Sequence, residues 1–334
     1  MAGLAKGAAV DLSGVTRLDT AGAWAIATGV ADRGLIVTGA NPAQGQLLTT
    51  VTAALPIPQK RHKKRIRHHA GDMFVPLGRG VAGLAGTAAD SLGFLGLVIA
   101  RLGTTLVHPS RLRLTALVHH MAEAGLNAVP IVALLGFLIG IVLAFQGASQ
   151  LKQFGAEVFV VDLIAISILR ELGILLTAII VAGRSASAYT AAIGSMKMRE
   201  EVDAMRTLGL DPVEVLILPR VLALVIMLPI LGFIADLAGL FGGGLMAWID
   251  LGISPGQFRM QLLADTDVSH ALIGLSKAPV FAAIIGIVGC HQGMQVQGNA
   301  ESLGQHTSRS VVISIFLVIV VDALFSVFFA LWGV

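Results

Sequence analysis

Five long apolar runs constrain this chain more than any other feature. They fall at about Val129–Gln150, Ile164–Ala182, Val221–Ile249, Ala271–Cys290 and Val311–Trp332. A hydrocarbon core about 30 Å thick is crossed by about 20 apolar residues in a helix. Inside it the backbone must satisfy its own hydrogen bonds. Of the 334 residues, 55% are hydrophobic and only 13% are charged, against about a quarter charged in soluble domains. The expected fold class is therefore an all-α polytopic membrane protein, with its membrane domain at residues 128–334.

The second run extends from Val158 to Ile193, about 54 Å at the helical rise, so it should project beyond the bilayer. Ahead of the spans, Val81 to Val107 has an apolar heart, Leu92 to Ala100, too short to cross. It is expected to lie in the interface, within a segment of interfacial helices at 79–127. Residues 1–55 differ in character. Ala8–Ser13 and Gly34–Thr38 read as strands, and Thr20–Val30 and Ala43–Ala54 as helices. Two strands cannot bury a sufficient core, so this α/β piece is a fragment or leans on another subunit. Residues 56–78 form a basic linker. Its run Lys60–His69 suits anionic headgroups, while the intervening cations disfavour a metal at His62, His68 and His69.

Basic residues flank the first span at Lys60–Arg67 and follow the second at Arg184, Lys197, Arg199 and Arg206. By the positive-inside rule the N-terminus and the segment after span two are cytoplasmic, and the C-terminus is outside. No cleavable signal peptide is expected, because the first residues lack a continuous apolar core. The single cysteine, Cys290, excludes an intramolecular disulfide. The basic run lacks interleaved aromatics, so no nucleic-acid partner is expected. No internal repeat is visible, which weakens a secondary-transporter reading.

A charged insert, Lys197-Met-Arg-Glu-Glu-Val-Asp-Ala-Met-Arg-Thr-Leu-Gly-Leu-Asp-Pro212, joins spans two and three. Lys197, Glu200, Glu201, Asp203 and Arg206 are polar, whereas Val202, Met205 and Leu208 recur at helical spacing. Gly209 and Pro212, flanking Asp211, end the helix. A short cytosolic helix between spans can receive a push from a soluble motor; the alternative is an ordinary polar connector.

Charges at membrane depth cost about 2.5–3.5 kcal/mol each. Arg170 and Glu171 sit near the centre of span two, and Lys277, Asp236 and Asp322 lie in the later spans. Sequence neighbours on an α-helix point about 100° apart, so Arg170 and Glu171 should not form one simple pair. Two readings stand. One is a neutralised network, such as Arg170 with Asp322 or Glu171 with Lys277. The other is a cavity for a charged headgroup with apolar walls for acyl chains. Ladders of small residues, Gly136, Gly140, Ala144 and Ala148, then Gly239 and Gly243, then Ala278, Ala282 and Gly286, let helices approach closely, within the subunit or across a dimer. There is no nucleophile, base and orienting group at helical spacing, and no GxxxxGK[ST] loop. No cofactor is expected on this chain, and a motor would be a separate polypeptide.

Several motifs carry a resemblance. Arg170-Glu-Leu-Gly173, Ala182-Gly-Arg184, Ala192-Ile-Gly-Ser-Met196, Glu201-Val-Asp-Ala-Met205, Gly209-Leu-Asp-Pro212 and Pro219-Arg220 are similar to the MlaE permease family of ABC transporters. So are Phe145-Gln-Gly147, Lys277 with Val280-Phe-Ala282, and Asp322. The resemblance covers about residues 80–334. It implies an elbow helix plus five spans in the inner membrane, and a homodimer with two cytoplasmic ATPase subunits that bind ATP and Mg. It also implies a periplasmic MCE lipid-binding partner and phospholipid as cargo. Under it, Glu200–Pro212 is the coupling helix, and Arg170, Glu171, Lys277 and Asp322 lie near the lipid path. Residues 8–54 resemble part of a STAS domain, with Thr20 at a position phosphorylated in some STAS regulators; the alternative for Thr20 is an unmodified helix N-cap. The insert is also similar to the importer motif EAA-x3-G-x9-IxLP, which gives a solute-importer permease as the rival. A STAS-bearing regulatory scaffold is a rival of a different class.

Overall fold

The computed structural model describes residues 5–55, 75–108 and 113–333, without the side chains of residues 75–89, Leu106 and Val158. The basic run Lys60–His69 and its histidines lie outside the described residues. The chain divides into two compact units, residues 1–75 and 76–334.

In the first unit, β1 (Ala9–Asp11) pairs in parallel with β2 (Ile36–Thr38), Val10 opposite Val37. Between them runs α1 (Thr20–Arg33), and α2 (Pro42–Ala53) follows. Local sequence explains both helices. The Asp19 carboxylate accepts from the Gly22 N–H at 2.7 Å, and Gly34 closes α1 in the left-handed conformation. Asn41 and Gln44 form a reciprocal capping box at the start of α2. Asp19, not Thr20, is thus the N-cap; Thr20 is the first helical residue and is exposed. The core is small: Ala23, Ala27 and Val51. Ile36 remains 58% exposed, as expected of a sheet too narrow to cover itself.

The second unit is helical. α3 (Val75–Val107) precedes α4 (Leu114–Ala124), and a short 3-10 turn leads into α5 (Val129–Lys152). Span two is one long rod built from α6 (Val160–Ile166), α7 (Gly173–Val181) and α8 (Ser187–Met198). Two π-helical segments, Ser167–Leu172 and Ala182–Ala186, join its pieces. The corner helix α9 (Glu201–Thr207) follows. A third π segment, Val213–Ile217, enters α10 (Leu218–Leu251). α11 (Pro255–Asp265) is a short connector before α12 (Val268–Gln295) and α13 (Ala300–Leu331). Among the described residues, five stretches are long and apolar enough to cross a membrane: Leu114–Lys152, Val160–Met198, Val213–Leu251, Val268–Gln295 and Ala300–Leu331. α3 is not among them despite its 33 residues.

The closest helix approaches occur where side chains are smallest. A Cβ at Gly140 would run into the Gly239 carbonyl, one at Gly136 into Ala235, and one at Gly242 into Phe137. Spans one and three therefore meet backbone to backbone within one chain. Gly286 lies against the Val221 main chain, and Gly243 makes room for the Ile164 side chain. Ala144 and Ala148 are buried with Ile164 and Phe258.

Candidate functional site

Arg170 and Glu171 sit in the π segment Ser167–Leu172. A π turn is wider than an α turn, which lessens the angle between successive side chains. The expectation that these neighbours diverge is therefore corrected: Arg170 Nε lies 3.8 Å from Glu171 Oε1. From α12, the Lys277 ammonium donates to Glu171 Oε2 at 2.5 Å and to Asp322 Oδ1 of α13 at 3.1 Å. The Lys277 side chain is fully buried. Of the two candidate pairings, Glu171 with Lys277 forms, and Asp322 joins the same ammonium. Two residues that sequence reasoning missed complete the group. Ser326 Oγ donates to Glu171 Oε2 at 3.0 Å, and His270 Nδ1 lies 3.4 Å from Arg170 Nη1. Ser326 stands four residues after Asp322, one helical turn, which is the signal that could have found it.

Two cations and two carboxylates balance. That balance is what lets charge persist at this depth. On the same two helices, Val280, Val321, Leu324, Phe325 and Phe328 line an apolar groove between α12 and α13. Val280 is three residues from Lys277, and Val321 is the neighbour of Asp322. Polar partners and a hydrocarbon-like wall thus adjoin one another on one pair of helices.

Asp236 on α10 stands apart from that cluster. It is 2% exposed, and its Oδ1 has no hydrogen-bond partner among the described residues. It presses on Gly173, where any Cβ would overlap it, so the glycine that ends the first π segment makes room for this carboxyl.

The charged insert is reshaped. It is not one helix from Lys197 to Pro212: α8 continues to Met198, the chain turns at Glu200 with φ of 61° and ψ of 12°, and α9 is only seven residues long. Glu200 is the one non-glycine residue with positive φ among those described. Gly209, φ 74°, closes α9 as a Schellman turn, with Leu210 N–H donating to Met205 O at 3.0 Å. The apolar stripe also splits. Val202 is buried and Met205 packs on the core, whereas Leu208 is 76% exposed. Asp203 and Arg206 pair with each other at 3.2 Å on the outer face. Lys197 and Asp211 turn inward. Lys197 Nζ donates to Met294 O at 2.5 Å, and Asp211 accepts from Val213 N–H at 2.9 Å and from Arg101 Nε at 2.8 Å. The outward surface of the insert includes Arg199, Glu200, Asp203, Arg206, Leu208 and Leu210, with Glu201 half-exposed beside Arg199.

Five packed spans, a balanced charge cluster beside an apolar groove, and a protruding corner helix define a membrane permease rather than a simple anchor. Residues 117–328 match the family described as Permease MlaE. A probable ABC transporter permease protein of Rickettsia typhi is 33% identical over 232 residues, covering 70% of this chain and 89% of that protein. The intermembrane phospholipid transport system permease protein MlaE of Haemophilus influenzae is 34% identical over 207 residues, 62% of this chain and 79% of its own. A probable ABC transporter permease protein of Synechocystis is 32% identical over 212 residues, covering 64% of this chain and 79% of that protein. The chain belongs to the MlaE permease family. It is a multi-pass membrane protein and the permease subunit of an ABC transporter.

Proposed function

We propose that this permease moves phospholipids or related lipids between the inner membrane and a periplasmic MCE-type carrier, as a homodimer driven by separate ATPase subunits. One observation carries the reading: the Arg170, Glu171, Lys277, Asp322 cluster adjoins the Val280–Phe328 groove. A charged headgroup finds donors and acceptors at the first, and an acyl chain finds hydrocarbon at the second. The relative from Haemophilus influenzae, named for intermembrane phospholipid transport, supports the same cargo.

The outward face of α9 supplies the contact with the ATPase. Leu208 is an exposed apolar knob on a tight turn, and Glu201, Asp203 and Arg206 frame it with charge. ATP and Mg bind the partner, whose closure pushes α9. In this reading α9 and the N-terminus face the cytoplasm and the C-terminus the periplasm.

The test is the lipid content of the purified protein. Arg170→Ala and Phe325→Ser should each lower co-purified phospholipid measured by mass spectrometry, while a surface change such as Arg259→Ala should not. Unchanged lipid in both variants removes the cluster and groove from the path. For the coupling surface, Leu208→Asp should abolish co-purification of an ATPase subunit without loss of the permease fold.

A further inference from the structure

A buried arginine stands at the root of the coupling loop with no carboxylate among the described residues to balance it. Arg220 lies in the first turn of α10, just after the π segment Val213–Ile217, and is 7% exposed. Its guanidinium is always charged. Among the described residues no carboxylate lies within ion-pair distance, and its Nε has no hydrogen-bond partner. What it holds is geometry. Nη1 donates to Leu216 O at 2.6 Å, inside the π segment. The guanidinium lies 5.8 Å from the Tyr189 ring centroid on α8. The Tyr189 ring in turn meets His120 of α4 edge-on at 5.9 Å. A methionine or leucine would fill the same volume without the desolvation penalty of a charge.

Two further ties run to the same elements. Arg101 of α3 binds Asp211 at 2.8 Å while that carboxylate also caps the Val213 N–H, so α3 grips the end of the coupling loop. Arg184, in the second π segment, donates to the Glu123 carbonyl near the end of α4 at 3.3 Å. Next to that end, Gly125 lies so close to Met227 of α10 that a Cβ would overlap it.

We infer that Arg220 and Arg101 are positioning residues of the transport cycle. They carry the displacement of the coupling loop to α4 and α3, the helices before the first full span, as well as to spans two and three. This rests on the reading of α9 as the ATPase contact. A push on α9 then moves the entry helices and the lipid path together.

The test uses the permease with its ATPase in phospholipid vesicles, with three readouts: ATPase bound, ATP hydrolysed, and fluorescent phospholipid transferred to acceptor vesicles. Arg220→Met should leave ATPase binding and hydrolysis intact but lower lipid moved per ATP about tenfold, and Arg220→Lys should recover part of it. Arg101→Asp, at a half-exposed position where folding is not at stake, should lower the same ratio, and Arg101→Asp with Asp211→Arg should restore part of it, the Val213 N–H losing its cap. A wild-type ratio in Arg220→Met and Arg101→Asp, with ATPase still bound, overturns this inference and leaves the coupling contact standing. A wild-type permease that binds no ATPase overturns both.

Discussion

Lys277 of α12 and Asp322 of α13 lie 3.1 Å apart with the ammonium sealed from solvent, and Glu171 of span two completes the same knot. Removing the cation alone leaves two carboxylates facing each other in a low-dielectric site. Lys277→Met should therefore destabilise the protein by about 3–5 kcal/mol, read as a lower thermal unfolding temperature in detergent. Changing all four charged residues, Arg170 included, together to leucine or methionine should recover most of that loss while still depleting bound lipid. A single variant as stable as wild type would show that the knot contributes nothing to the fold.

Spans one and three are tested by a single methyl group. Gly140→Ala places a Cβ on the Gly239 carbonyl, and backbone cannot yield as a side chain can. A destabilisation of about 1–3 kcal/mol is expected. Gly183→Ala, where no atom lies within 4 Å, serves as the matched control and should change stability little. Equal melting temperatures for the two variants would contradict the backbone contact.

The corner at Glu200 stores strain. A left-handed conformation costs an L-residue about 1–2 kcal/mol relative to glycine. Glu200→Gly should raise the unfolding temperature slightly, and Glu200→Val should lower it. Opposite signs would show that the corner is not held as described.

In the first unit, the Asp11 carboxylate accepts from Ser13 N–H at 2.9 Å and from Ser13 Oγ at 2.8 Å. These hydrogen bonds hold its pKa below the ordinary carboxylate value. A depressed pKa means the turn gains from the charged form above the ordinary value and loses that gain as pH falls through the lowered one. Hydrogen exchange at Ser13 in the full chain should therefore be slower than in Asp11→Asn at neutral pH. The two should converge in strong acid. No difference at neutral pH would remove the carboxylate from the turn.

Much of this was legible in the sequence, for physical reasons that differ by region. Apolar runs announce spans because lipid tolerates nothing else, and the strands at Ala9 and Ile36 stand out by their flanking turn residues. The pairing of Glu171 with Lys277 was one of two open choices, since sequence gives depth in the membrane but not rotation about a helix axis. The π segments were not legible. Arg170 and Glu171 share the first of them and lie within reach of each other, against the expectation from a regular α-helix. The Lys197–Pro212 insert was legible as polar and helix-forming. Which of its residues face outward was not, because Lys197 and Asp211 are drawn inward by Met294 and Arg101, partners far away in sequence. Ser326 offers only its one-turn spacing from Asp322 as a signal, and His270 none beyond proximity in the fold.

The contact between Gly140 and Gly239 also limits how such a machine can work. With main chain resting on main chain, there are no rotamers between the two rods to absorb sliding. The first and third rods therefore travel as a single plank, and α12 is bound to the second rod in the same way, Gly274 meeting the Leu169 carbonyl and Gly289 the Ala186 backbone.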